Sequence, residues 1–143
     1  MPTLHESTIN RGLIVAGAGF AMLAVMVGAF GAHGLKQVLD TYSLGLVDTA
    51  ARYQMYHAIA LLIVGVISTI PHFSRRWLKL AAVAFILGIV LFSGSLYILA
   101  LSGIKWLGAI TPIGGVAFIL GWCALIAAAL KNSGSTTEKQ NDS

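Results

Sequence analysis

Residues 12–32 read GLIVAGAGFAMLAVMVGAFGA, without one charged side chain. A hydrocarbon core about 30 Å thick takes roughly 20 apolar residues of helix to cross. This stretch is long enough, and Arg11 stands directly before it. Its rival reading is a secretory signal peptide, since Ala29–Ala32 faintly resembles a small-residue cleavage site. Signal h-regions run only about 7–15 residues, so the length from Leu13 to Phe30 favours an uncleaved span.

Three further segments repeat the pattern. Asp48–Ile70 has an apolar core from Ala58 and stops at Pro71, which cannot continue the hydrogen-bond ladder. Arg75–Leu101 follows Ser74, a candidate N-cap. Pro112–Leu130 follows Thr111, read as an N-cap with proline at the first helical position. The apolar stretch Ile104–Ile110 is either a short interfacial turn or an extension of helix four kinked at Pro112. In loop one, Leu35, Val38, Leu39 and Tyr42 share one helical face, which predicts a short interfacial helix with Asp40 on its solvated side. The fold expected is all-α: a single four-span bundle over residues 1–131, followed by a disordered polar tail, 132–143.

Composition agrees. Of 143 residues, 57% are hydrophobic and 10% charged, whereas soluble domains carry about 25% charged residues. That excludes a soluble enzyme, a disordered chain and a disulfide-stapled secreted module. The one cysteine, Cys123, reads as a small apolar side chain. The net charge of +4 is not gathered into a run, so nucleic acid is not an expected partner. No internal or inverted repeat is visible.

Orientation follows from Lys and Arg in the short flanks. Arg11, Arg75, Arg76, Lys79, Lys131 and Lys139 fall on one side, and Lys36, Arg52 and Lys105 on the other. Six against three places both termini in the cytoplasm, with Trp77 and Trp106 as interfacial anchors at opposite ends. Small residues at Ala24, Gly28 and Ala32, and at Gly114, Ala117, Gly121, Ala124 and Ala128, allow close helix approach. They suit packing inside one bundle better than a dimer interface. Met22, Met26 and Met55 read as packing.

Intramembrane polar residues are costly and often functional. Under this topology His33, Arg52, Tyr53, Tyr56, His57, Tyr97, Lys105 and Thr111 converge on the extracytoplasmic side. Tyr53 and His57 share a helical face, as do Arg52 and Tyr56; Asp48 lies four residues before Arg52, the favourable order for an ion pair. Ser93 and Tyr97 are one turn apart. One reading is a site formed by His33 and His57, brought together by loop one and surrounded by Arg52, Tyr53, Tyr56 and Tyr97. Such a site suits a lipid or quinone head group, or haem held by two axial histidines. The other reading is structural, the same groups satisfying one another. Two histidines without cysteines or paired carboxylates make a poor metal site, so none is expected.

Proton-coupled pumping calls for a carboxylate inside the membrane. None lies within the membrane here, since Asp48 stands at a helix start and Asp40 in a loop, and the buried first-span glutamate of small multidrug exporters is missing. Neither G-x-S-x-G nor a phosphate-cradling glycine loop occurs, so no catalytic residues are assigned. No cofactor is required.

Five short blocks carry a family resemblance: Gly28–Leu35 (GAFGAHGL), Ala50–Ala58 (AARYQMYHA), Gly94–Tyr97 (GSLY), Leu107–Gly115 (LGAITPIGG) and Gly121-Trp122. In order and placement they resemble the bacterial domain-of-unknown-function 423 family across roughly Gly12–Leu130. A eukaryotic family of small transmembrane proteins looks like a distant relative. The resemblance implies a four-span inner-membrane protein and no particular activity. Its blocks contain His33, Arg52, Tyr53, Gln54, Tyr56, His57, Tyr97, Thr111 and Pro112, overlapping the polar convergence. The leading expectation is a non-enzymatic protein that binds membrane lipid, a small ligand, a partner protein or a second copy of itself. A haem- or redox-linked component using His33 and His57, and a small-solute transporter, are the alternatives.

Overall fold

The computed structural model describes residues 4–131; the tail expected to be disordered lies outside them. Five α-helices form four spans: α1 (Leu4–His33), α2 (Thr41–Ile67), α3 (Arg75–Gly88) running through a π-turn (Ile89–Ser93) into α4 (Gly94–Ser102), and α5 (Thr111–Leu130). Single 3-10 turns occupy Leu35–Gln37 and Lys105–Ala109. Each span is long and apolar enough to cross a membrane. No strand occurs among the described residues.

Loop one departs from expectation in extent. Its short helix is present but contracted to Leu35–Gln37, and Tyr42 belongs to α2. The cause is Asp40. Its backbone is extended and its carboxylate accepts the Ser43 amide at 2.7 Å, which caps the third residue of a new helix. The amide and hydroxyl of Ser43 hold the Asp40 carboxyl below its ordinary pKa. Helix two therefore begins at Thr41, not Asp48. It ends at Ile67, before Ile70, because the residue preceding a proline is driven out of the helical region.

The two expected N-caps also differ. Ser74 holds the N-cap position, but its side chain does not cap. Its amide donates instead to the Ala128 carbonyl at 3.1 Å, tying the start of α3 to the end of α5. Ile110 is the N-cap residue of α5, so Thr111 and Pro112 both lie in the first turn. Ile104–Ile110 takes the short-turn form rather than extending the helix. Gly103, at φ 71°, closes α4 in the left-handed conformation that glycine adopts without steric cost.

The helices pack through small residues. On α1 the buried stripe is Gly17, Ala24 and Gly31, seven residues apart; Gly28 and Ala32, expected on the packed face, are exposed. A Cβ on Gly17 would lie 2.9 Å from the Ala58 carbonyl oxygen, and one on Gly31 would lie 3.4 Å from Val47. On α5, Gly114, Gly121, Ala124 and Ala128 are buried. Gly121 faces the Phe85 ring, Gly88 of α3 faces Phe118, and Gly114 lies against the backbone of Phe92 in the π-turn. The core joins α2, α3 and α5 through Leu61, Val64, Leu78, Phe85, Phe118 and Ala124. Only 11% of the apolar window of α1 is buried, against 50% in the second and third spans. α1 leans on α2 and leaves a cleft between itself and α4.

Candidate functional site

The buried polar side chains, Gln54, His57, Ser93 and Ser95, form two groups on adjoining faces of α2 plus two hydroxyl ties. Gln54 is the hub of the first group. Its Nε2 donates to the Phe20 carbonyl of α1 at 2.8 Å, and its Oε1 accepts the Tyr97 hydroxyl of α4 at 2.9 Å. One amide thus links three helices.

His57 is the hub of the second. Trp122 Nε1 of α5 donates to His57 Nε2 at 3.1 Å, and His57 Nδ1 lies 2.7 Å from the Tyr53 carbonyl. An indole N–H can only donate and a carbonyl can only accept. The neutral tautomer protonated on Nδ1 therefore satisfies both bonds. The imidazole stacks on Phe118, centroids 3.5 Å apart and planes at 8°, with Phe85 at 5.6 Å.

The ties are hydroxyls. Ser93, in the π-turn, donates to the Ala50 carbonyl at 2.8 Å. Ser95 donates to the Phe92 carbonyl at 3.0 Å, so the Thr111 hydroxyl is the donor in the 2.8 Å contact between Thr111 and Ser95. Thr111 bridges α5 to α4 in this way instead of capping α5. Among the described residues every buried side-chain nitrogen and oxygen has a partner.

The residues expected together are only partly so. Tyr53 packs its ring on Phe92, centroids 4.7 Å apart, and lends its carbonyl to His57. Tyr97 and Thr111 join interhelical bonds. Arg52 pairs with Asp48 on the exposed surface of α2, and Tyr56 is exposed beside Tyr53. His33 is exposed at the end of α1. The expected approach of His33 to His57 does not occur. Gly31 lies beside Val47 and Gly17 beside Ala58, which sets the antiparallel register. At about 1.5 Å per residue, His33 and His57 are then roughly 20 Å apart along the bundle. The early start of α2 is the cause, because it carries His57 two turns deeper.

Three contributors lie outside the polar convergence read from the sequence: Gln54, Trp122 and Ser95, which entered only within the family blocks. Gln54 had a signal, being an amide inside an apolar run. Trp122 had one too, since it falls mid-span where an interfacial tryptophan would not. Among the described residues no three His, Cys, Asp or Glu side chains group as metal ligands.

A cleft of about 720 Å³ runs between α1 and α4. Met26 and Phe30 form one wall, Tyr97 and Leu101 the other, and Leu35 and Val47 also line it. The Tyr97 ring faces the cleft while its hydroxyl is bound to Gln54. The lining therefore presents almost no polar atoms.

Comparison with known proteins gives consistent relatives. Residues 27–115 match the family described as Protein of unknown function (DUF423). A UPF0382 membrane protein of Staphylococcus aureus is 52% identical over 121 residues, covering 85% of this chain and 97% of that protein. Others from Staphylococcus saprophyticus and Staphylococcus haemolyticus are 50% and 49% identical, each covering 82% of this chain and 96% and 94% of their own lengths. No solved structure matches. The chain belongs to this family of membrane proteins, whose activity is uncharacterised.

Proposed function

We propose that this DUF423 family member is a non-enzymatic protein of the bacterial inner membrane, with both termini in the cytoplasm, that retains a lipid chain in the α1–α4 cleft. The cleft carries the reading. Its 720 Å³ falls within the roughly 300–1,000 Å³ of small-molecule sites, which are mostly apolar. It lies between two helices of the membrane domain, its one hydroxyl is already engaged, and Leu35 lines it beside loop one.

The polar cluster supports this ligand class over a polar one. Its buried nitrogens and oxygens all have partners within the protein, so Gln54 and Tyr97 fix the wall of the cleft and leave no unpartnered polar group among the described residues facing it. The haem alternative has no support in the geometry. Both ring nitrogens of His57 are engaged, and His33 is distant along the bundle. A transporter reading lacks a buried polar path, since Gln54, His57, Ser93 and Ser95 are all bonded within the protein.

The test is lipid identification after purification in mild detergent. Wild-type protein should carry a reproducible lipid complement above the detergent background. Leu101→Trp fills the cleft from its α4 wall and should lose that lipid while keeping helicity and unfolding behaviour. Identical lipid recovery from both proteins overturns the reading.

A further inference from the structure

We propose that the opposite end of the third span carries a second, independent site, one for the phosphate head of an anionic phospholipid. The first two turns of α3 hold Arg75, Arg76 and Lys79, all exposed. Arg76 and Lys79 are three residues apart and share a face with Leu80 and Val83. With Trp77 these four line a recess of about 600 Å³. Below it, Leu80, Val83, Leu87 and Val90 continue one exposed apolar stripe, each about half exposed. A guanidinium fork and an ammonium thus stand directly above a surface shaped for an acyl chain.

Charge selects the head group. Among the residues whose side chains are described, the two carboxylates are Asp40 and Asp48, and both lie at the other end of the bundle. No described acid competes for Arg76 or Lys79. Lys131, at the end of α5, holds its ammonium 5.1 Å from the centre of the Trp77 ring, adding a third cation at the rim. A zwitterionic head would bring its own cation into this field; an anionic head would not. Basic pockets at helix ends on the cytoplasmic side are where anionic lipid heads bind. Arg76 supplies the fork geometry for phosphate oxygens and Lys79 a point charge. This site shares no residue with the α1–α4 cleft, so either proposal stands without the other.

Native mass spectrometry of the full chain in mild detergent, titrated with phosphatidylglycerol or phosphatidylcholine of equal chain length, tests it. Wild-type protein should retain phosphatidylglycerol preferentially, and the preference should fall as ionic strength rises. Arg76→Gln with Lys79→Gln should reduce phosphatidylglycerol retention about thirty-fold, from the loss of two cations near the head group. Arg76→Lys with Lys79→Arg should keep the preference, and so should Lys105→Gln at the other end. Inorganic phosphate at matched concentration should not displace the lipid, because the apolar stripe contributes to its hold. The proposal is overturned by equal retention of the two lipids by wild-type protein, by an unchanged preference in the double glutamine variant, or by complete displacement with phosphate.

Discussion

Gln54 and His57 sit on one helix and are engaged in different ways, and the difference is measurable. Gln54 is linked to α1 through a backbone carbonyl and to α4 through the Tyr97 hydroxyl. Tyr97→Phe removes one donor and leaves the ring in place, so the expected loss is about 0.6–1.7 kcal/mol, from the average to the maximum for interhelical hydrogen bonds in membranes. Gln54→Leu strands two partners, the Phe20 carbonyl and the Tyr97 hydroxyl, and should cost more than Tyr97→Phe. In the double variant the second loss should be less than additive, because the shared bond is already gone. Unfolding with a denaturing detergent, monitored by helicity, gives these differences. A Gln54→Leu variant no less stable than Tyr97→Phe would show that the amide is not a hub. The histidines teach a related lesson about reading such sites from sequence. Ring chemistry marks both as candidate ligands, but only position decides whether a nitrogen is available. The partner that consumes His57 Nε2 is Trp122, sixty-five residues away, and no local pattern announces it.

At the scale of elements, the spans were legible because membrane crossing demands a length of apolar chain, which composition alone reveals. Their rotations were not. In a helix apolar all round, the packed face carries no contrast against the lipid face, so Gly28 and Ala32 looked as suitable for packing as Gly17 and Gly31. The π-turn at Ile89–Ser93 was hidden for the same reason: its extra residue changes the phase of a pattern that has none to read. The start of α2 was legible in principle. Asp40 is itself a preferred N-cap residue type, obscured by the apolar spacing of Leu35, Val38, Leu39 and Tyr42. That one boundary also misplaced His57, so the error in the site descends from an error in an element. The packed glycines provide the test. At Gly114 a Cβ would overlap the backbone nitrogen of Phe92, and backbone within a helix gives little way. Gly114→Ala should destabilise by about 1–3 kcal/mol, the usual cost of overpacking. Gly28 has open space around its Cβ position, and Gly28→Ala should be neutral or stabilising by up to about 1 kcal/mol from improved helix propensity. Thermal or detergent unfolding of the two variants checks the contrast, and equal effects would contradict the packing described for α5.

For the whole molecule, the distribution of charge and the arrangement of helices bear on one question, which way the bundle lies. With four spans the two chain ends share a side, together with the connection between α2 and α3. Arg11, Arg75, Arg76, Lys79 and Lys131 stand there, and Lys36, Arg52 and Lys105 stand at the other end. An excess of Lys and Arg in short flanks marks the cytoplasmic face. The proposed placements follow from that one assignment: the phosphate recess at Arg76 and Lys79 faces the cytoplasmic leaflet, while Leu35 and Tyr97 open the α1–α4 cleft toward the outer leaflet. Reporter fusions decide it in living cells. A fusion after Leu130 should be active with a cytoplasmic reporter and silent with a periplasmic one, and a fusion after Leu39 should give the reverse. Arg76→Gln with Lys79→Gln removes the inner excess of Lys and Arg, so the double variant is also made in the Leu130 fusion: an unchanged cytoplasmic pattern there separates a loss of lipid preference from an inverted protein. Periplasmic activity of the Leu130 fusion would reverse the bundle, moving the basic recess to the outer leaflet and the cleft to the inner one.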